Sequence, residues 1–327
     1  MNYKEIALKT IKFQNPEEII SFIPGYWVGY PGANHEGWEG GGHDCPVGTR
    51  WTDIWGTGWH KEHPDVMAFP EINPLAEIEA LDDYIWPDPN DERIKGWIYG
   101  GAKGFGEAEK QGAFLTGTHR DTLWEKAYML VGMENMMIYF YTDPDYARTI
   151  LRNIMDFQMG IARHYIDVGV EMVFCSDDLG TQRSLLMSEE IINEFLLPEY
   201  RRLFSFYRQH GVLIHFHSCG HIEPLLDTFI DLGIDILNPM QATANNIENV
   251  IKKTYGKMAI NGAISTAVLS DGPIDAIKEH VAHTIEVLGK NGGYFCSPDQ
   301  HMPLPDENVA AMHEALAEHR GYSHKKL

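Results

Sequence analysis

One pattern governs the chain from about residue 113 onward: a short β-rich run, a turn, then a long amphipathic run, repeated. AFLTG (113–117) precedes a helical stretch over 123–140, and a second helix over 144–168 leads into EMVFC (171–175). VLIHFH (212–217), IDILNPM (234–240), KMAINGAI (257–264) and GYFCS (293–297) continue the series. Ser188, backed by Glu189 and Glu190, predicts the N-cap of a helix running to Gly211, with a kink at Pro198. Gly233 predicts the stop of the helix over 221–232. Strict alternation of this kind implies parallel strands joined by crossover helices. Two architectures satisfy it, an open doubly wound sheet and a (β/α)8 TIM barrel. The first is expected to carry a phosphate-binding turn, yet the chain has no GxGxxG and no GxxxxGK[ST]; GGAKGFG (100–106) has the glycines without either spacing. The remaining length holds two more strands, so the expectation is a single α/β (β/α)8 barrel domain over 1–327.

Residues 1–100 are expected to form an irregular, loop-rich part that covers the barrel mouth. The stretch 25–60 is dense in Gly and Trp and has no period, but it is too aromatic for a disordered linker. Trp51, Trp55 and Trp59 recur every four residues, which fits a helix face, a lid over an apolar ligand, or core packing; packing is the simplest reading. A short helix is expected within 72–89, stopped by Pro87 and Pro89.

Charge narrows the partners. The chain carries 47 acidic and 26 basic residues, a formal net charge of −21, which argues against nucleic acid and against an anionic membrane surface. No run approaches 18 apolar residues, and the charged start MNYKEIALKTIKF lacks the apolar stretch of a signal peptide. The four cysteines are scattered with no CxxC, as in a reduced, cytoplasmic protein.

Functional residues of a barrel collect at the C-terminal strand ends. Those ends read Ser176-Asp177-Asp178 after EMVFC, His217 and Cys219 after VLIHF, Asn238 and Gln241 after IDIL, Asn261 after KMAI, and Cys296, Asp299, Gln300 and His301 after GYF. Turn chemistry alone explains Asn, Asp, Ser and Gly there but not His and Cys. His217 and Cys219 share a strand face, and Cys296 ends a strand whose top converges on the same axis. One imidazole and two thiolates suit zinc, with a fourth tetrahedral position left open for a substrate. Against this stands the ordinary use of a strand Cys as a small buried hydrophobe. His215 lies one layer deeper, as core or support. Cys175 is a possible substitute ligand, and His43-Asp44-Cys45 is a second, weaker His-x-Cys without a partner cysteine. Asp177 and Asp178 fit an acid/base pair or, equally, a helix-capping region. Asn238, Gln241, Asn261, Gln300 and His301 are the candidate substrate-binding residues.

These motifs resemble, in their order, the uroporphyrinogen decarboxylase superfamily: DDLG (177–180), SEEIINEFLLPEYRRL (188–203), HFHSCGHIEPLLDTFIDLGIDILNPMQ (215–241), NGAI (261–264), GGYFCSPDQHMP (292–303) and ENVAAMHEA (307–315). The resemblance covers about residues 80–320 and implies the barrel. True decarboxylases of the family carry an arginine-rich motif near the N-terminus, whereas residues 1–49 contain no Arg. The resemblance therefore points to the corrinoid-dependent methyltransferase branch, to which TDIWGTGW (52–59) is also closer. It implies zinc on His217, Cys219 and Cys296, a thiol, thioether or methoxylated substrate, a corrinoid carried by a separate corrinoid protein, and a homodimer. Two other classes stay open at this stage: a metal-free decarboxylase on the same barrel, and a non-catalytic binder of small molecules.

Overall fold

The computed structural model describes residues 2–321; residue 1 and residues 322–327 of the expected domain lie outside them. Seven parallel strands form one curled sheet in strictly sequential order: β1 (Gly25–Val28), β2 (Phe114–His119), β3 (Met172–Ser176), β4 (Leu213–His217), β5 (Ile236–Met240), β6 (Ala259–Ile264) and β7 (Tyr294–Pro298). Each successive pair is joined through helical segments, as the alternation demands. The fold is thus TIM-barrel-like, with one difference from the eight-strand expectation. Between β7 and β1 no eighth strand joins the sheet among the described residues; instead the extended segment ahead of β1 runs past, with Cys296 N–H donating to Ile20 C=O (3.0 Å) and Phe114 N–H to Pro24 C=O (2.9 Å).

Side chains alternate across this sheet and build two apolar layers. Inside the barrel, Phe114, Met172, Ile236, Ala259 and Phe295 close the bottom together with Ile6, Ala7, Ile11 and Ile20. Outside it, Leu115, Val173, Ile214, Phe216, Leu237, Ile260 and Tyr294 pack against the helices in the main core. Alternation therefore assigns Phe174, His215, His217, Asn238, Asn261 and Ser297 to the interior, above the apolar floor.

The helices follow their sequence signals closely. Pro144–Asp167 buries one full stripe against the sheet. The stretch expected over 123–140 divides into Trp124–Val131 and Met133–Thr142 at Gly132, whose φ of +91° a helix does not accept. Ser188 Oγ accepts from Ile191 N–H, as its cap role requires. The disturbance expected at Pro198 lies one turn earlier, as a π-helical turn over Ile192–Leu196, which leaves Pro198 at the tolerated start of Leu197–Gln209.

The tryptophan run is not a helix. Trp51 and Trp59 are cross-strand partners in an antiparallel hairpin of Arg50–Thr52 with Gly58–His60, and both are buried. Asp53 holds the turn between them: its carboxylate accepts from Trp55 N–H, Thr57 N–H and Trp59 Nε1–H at 2.8–3.0 Å. Trp55 enters the main core. Within 72–89 the helix is one 3-10 segment, Ile78–Asp83. Among the described residues no helix is long and apolar enough to cross a membrane.

Candidate active site

Two loops at the C-terminal strand ends are pressed together, backbone on backbone. A Cβ on Gly220, whose φ is +85°, would come within 2.5 Å of the Gly180 carbonyl, and one on Gly180 within 2.7 Å of Cys219 C=O. Only glycine fits either position, which explains DDLG and SCG as a matched pair. Their contact brings Asp178 beside Cys219, and Cys219 N–H donates to Asp178 Oδ1 (2.8 Å).

The result is a compact group. Ligand atoms of Asp178, His217 and Cys219 lie within 4.8 Å of one another. Cys219 Sγ is 3.3 Å from His217 Nε2, and Asp178 Oδ1 is 3.5 Å from the same nitrogen. A tetrahedral zinc with ligands at about 2.0–2.3 Å holds them about 3.3–3.8 Å apart, so these spacings fit. The imidazole is also oriented. Ser297 Oγ and Asn238 Nδ2 both donate to Asn261 Oδ1 (2.9 and 2.7 Å). Asn238 thus turns its Oδ1 to His217 Nδ1 (2.9 Å), which must carry the proton. Nε2 is left with its lone pair facing Cys219 and Asp178, the tautomer a metal ligand needs.

The structure does not bring Cys296 into this group. It alternates with the inward Phe295 and Ser297, so its side chain lies on the outer face of β7, fully buried in the core under the helices. Burial pushes its thiol up to about 12. Cys175 is likewise buried on the outer face, with its thiol raised by burial. Among the described residues, His43 and Cys45 belong to no metal-holding group.

The aspartate pair divides. Asp177 is fully buried and accepts from Leu123 N–H (2.8 Å), Glu125 N–H (2.8 Å) and Tyr200 O–H (2.7 Å), which ties the start of helix Trp124–Val131 to β3. Burial raises its carboxyl to about 7. Asp178 is the member that faces the group. Asp177→Ala strands three donors and is expected to cost about 2 kcal/mol, read as a lower urea midpoint, with Asp177→Asn losing less.

The remaining candidates are placed as follows. Gln300 Nε2 donates to Cys219 Sγ (3.3 Å). Gln241 Oε1 accepts from Gly220 N–H (2.6 Å) and Gln182 Nε2 (3.2 Å), so it supports the Cys219 loop. His301 is exposed beyond the group. His215 is 7% exposed inside the barrel and burial lowers its imidazole to about 3, followed by the effect of His217.

Several residues at this rim carried no sequence signal. Glu125 is held well above the usual carboxylate range by burial and by Asp121, Asp177 and Asp178. Cys219's thiol is pushed up to about 12 by burial first and Asp178 second. Asn34 donates to Asp121, and Lys126 to Ala33 C=O, joining the N-terminal part to the end of β2. A cleft of about 220 Å³ opens there between residues 30–37, Thr118 and Arg120, with Arg120 paired to Glu36. The donors of the group, one carboxylate, one thiol and one imidazole, suit a cation rather than an anion.

Comparison with known proteins decides the family. The uroporphyrinogen decarboxylase (URO-D) family model matches residues 73–319. The chain belongs to the uroporphyrinogen decarboxylase family. Over 106 residues it is 31% identical to a methylated-thiol–coenzyme M methyltransferase of Methanosarcina mazei, a match spanning 32% of this chain and 28% of that protein. A solved methyltransferase from Methanosarcina mazei superposes with a TM-score of 0.72 at 16% identity, covering 97% of this chain and 99% of that one, which shows the shared fold.

Proposed function

We propose that this URO-D family member is a zinc-dependent methyltransferase that moves a methyl group between a small-molecule thioether, thiol or methoxylated compound and the corrinoid of a separate protein. The observation that carries this reading is the Asp178–His217–Cys219 group at the barrel rim, with the His217 imidazole held at Nδ1 by Asn238. The stretch resembling a methylated-thiol enzyme supports the same class of chemistry.

Asp178, His217 and Cys219 would hold the ion, and a bound zinc supplies Lewis-acid stabilisation of the heteroatom that carries the methyl group. The chain's own residues do the rest. Asn238, Asn261 and Ser297 keep His217 Nε2 aimed at the group. Gln300 donates to the Cys219 sulfur and Gln241 fixes the loop behind it. When the methyl–heteroatom bond breaks, the heteroatom keeps the bonding pair and requires a proton. Glu125, whose carboxyl burial and the nearby Asp121, Asp177 and Asp178 raise well above its ordinary value, would be a source of that proton. His217 and Asp178 keep 28% and 44% of their side-chain surface exposed, and a corrinoid protein would dock at this rim.

The test is methyl transfer to free cob(I)alamin, read as the absorbance change on Co–C bond formation, with dimethyl sulfide or 2-methoxyphenol as donor. Zinc-loaded protein is expected to turn over and chelated protein to stop. Release of CO2 from an acidic substrate without any corrinoid would replace this reading with a decarboxylase.

A further inference from the structure

The cleft of about 220 Å³ between residues 30–37 and the end of β2 is lined by groups that the fold leaves unused. Its walls are preformed. Gly32 N–H donates to Gly37 C=O (2.7 Å) and Glu36 N–H to Asn34 Oδ1 (2.9 Å), while Asn34 and Ala33 are tied to Asp121 and Lys126. Tyr30 and Thr118 line the space, and neither hydroxyl makes a hydrogen bond among the described residues. Thr118 uses only its carbonyl, which accepts from Tyr165 O–H (2.8 Å). The Tyr30 ring is braced edge-on against Phe157 (6.0 Å), and burial holds its phenol well above the ordinary pKa, so its O–H stays a donor. Two opposite charges complete the lining. Arg120 pairs with Glu36, and the two side chains are 42% and 53% exposed. An exposed pair of this kind contributes little to stability and parts readily. Thr118 is also the register partner of Phe174 on β3, and the Phe174 ring lies 6.0 Å from that of His217. The cleft is therefore one strand away from the candidate metal ligands.

We propose that this cleft binds a small zwitterion of the amino-acid or betaine type, whose two charges replace the two halves of the Arg120–Glu36 pair. The carboxylate takes the Arg120 guanidinium together with the Tyr30 and Thr118 hydroxyls, all of them donors. The cationic end takes the Glu36 carboxylate. Single ions fit less well. A lone anion parts Arg120 from Glu36 and then lies beside the freed carboxylate, on a chain whose formal net charge is already −21. A lone cation takes Glu36 and leaves the guanidinium unpaired next to it. A ligand with both charges satisfies both groups at once. The tied loop 30–37 needs little ordering to receive it. Such binding requires neither zinc nor methyl transfer.

Titration calorimetry of the full-length protein is the experiment, with glycine betaine and L-alanine as probes. Each is compared with analogues that lack one charge: 3,3-dimethylbutanoate and choline for the betaine, propanoate and ethylamine for alanine. At least one zwitterion is expected to bind saturably below about 10 mM, and its two analogues about 10-fold more weakly. Arg120→Gln and Glu36→Gln should each weaken that zwitterion about 10-fold, and Tyr30→Phe or Thr118→Val about 3-fold. The charge variants should also change the selectivity in opposite ways. Arg120→Gln should erase the preference over the cationic analogue, and Glu36→Gln the preference over the anionic one. Both side chains are exposed, so both variants are expected to fold, with circular dichroism as the control. Analogues that bind as tightly as their zwitterion would overturn the proposal. So would zwitterion binding that is unchanged in both charge variants, which would place the ligand elsewhere, or the absence of saturable heat from either probe.

Discussion

Protein grown with zinc is expected to carry about one zinc per chain, and Cys219→Ser, His217→Ala and Asp178→Asn are each expected to weaken its binding about 100-fold or more. Complete protein zinc sites bind with about 10–16 kcal/mol, so one ligand of a small set is worth several kcal/mol. Asn238→Ala tests the support layer: it frees the His217 ring without removing a ligand, and about 10- to 100-fold is expected. Cys296→Ser is the informative contrast. Spacing and family resemblance make Cys296 a ligand, whereas its position on the outer face of β7 makes it a packing residue. Metal analysis by mass spectrometry, with competition against a chromophoric chelator for affinity, reads all five variants. Retention of zinc in Cys296→Ser supports the Asp178 set. Its loss there, with retention in Asp178→Asn, would show that β7 presents its other face to the site. A parent protein without metal would remove the proposed function itself.

The contrast shows where sequence reasoning stopped. The alternation from residue 113 onward yields the layered sheet because period-2 and period-3.6 patterns each report one local geometry. Phase is the harder quantity. Cys296 and Ser297 both sit at a strand end, and which one points inward depends on a register that a five-residue run does not display. The alternation of Phe295 into the floor and Tyr294 into the outer core settles it. His217 needed no such choice, because three polar residues alternate on β4 and its loop. β1 was hidden for a different reason. GYWV is four residues long inside a Gly- and Trp-rich stretch, and its identity comes from pairing with Phe114–Gly117, a partner about 90 residues away. The tryptophans pack as the simplest reading held, but not on a helix face: Trp51 and Trp59, eight residues apart, pair across a five-residue turn (53–57) that carries Trp55. The division of Asp177 from Asp178 follows strand alternation too, yet it becomes visible only once the start of helix Trp124–Val131 is seen to need Asp177.

Two buried titratable groups on the helix side of this sheet give the protein two opposing responses to acid, which single variants should separate. His119 is fully buried on the outer face of β2, with Nδ1 on Gln158 Oε1 (2.7 Å) and Nε2 on the Tyr207 hydroxyl, and burial lowers its imidazole to about 4. In the unfolded chain a histidine titrates near 6.5. The unfolded state therefore takes up this proton first. Stability from neutral His119 is complete above pH 6.5 and is lost as the pH falls toward 4, about 3 kcal/mol in all, at about 1.4 kcal/mol per pH unit. Asp177 works in the other sense. Its folded carboxyl titrates above the unfolded value, so the folded state takes up the proton first, and its contribution is greatest below the unfolded pKa and is lost as the pH rises through about 7. Between pH 4 and 6.5 the two partly cancel, and the parent protein shows only their difference. Replacing His119 with Gln should remove the acid-sensitive half, so that urea midpoints measured from pH 7 down to 4.5 fall less steeply than in the parent. Replacing Asp177 with Asn should remove the acid-favoured half and steepen the same fall. Parallel slopes in all three proteins would mean that neither group changes its proton affinity on folding, and that the carboxyl clamp between β3 and helix Trp124–Val131 is ionised throughout.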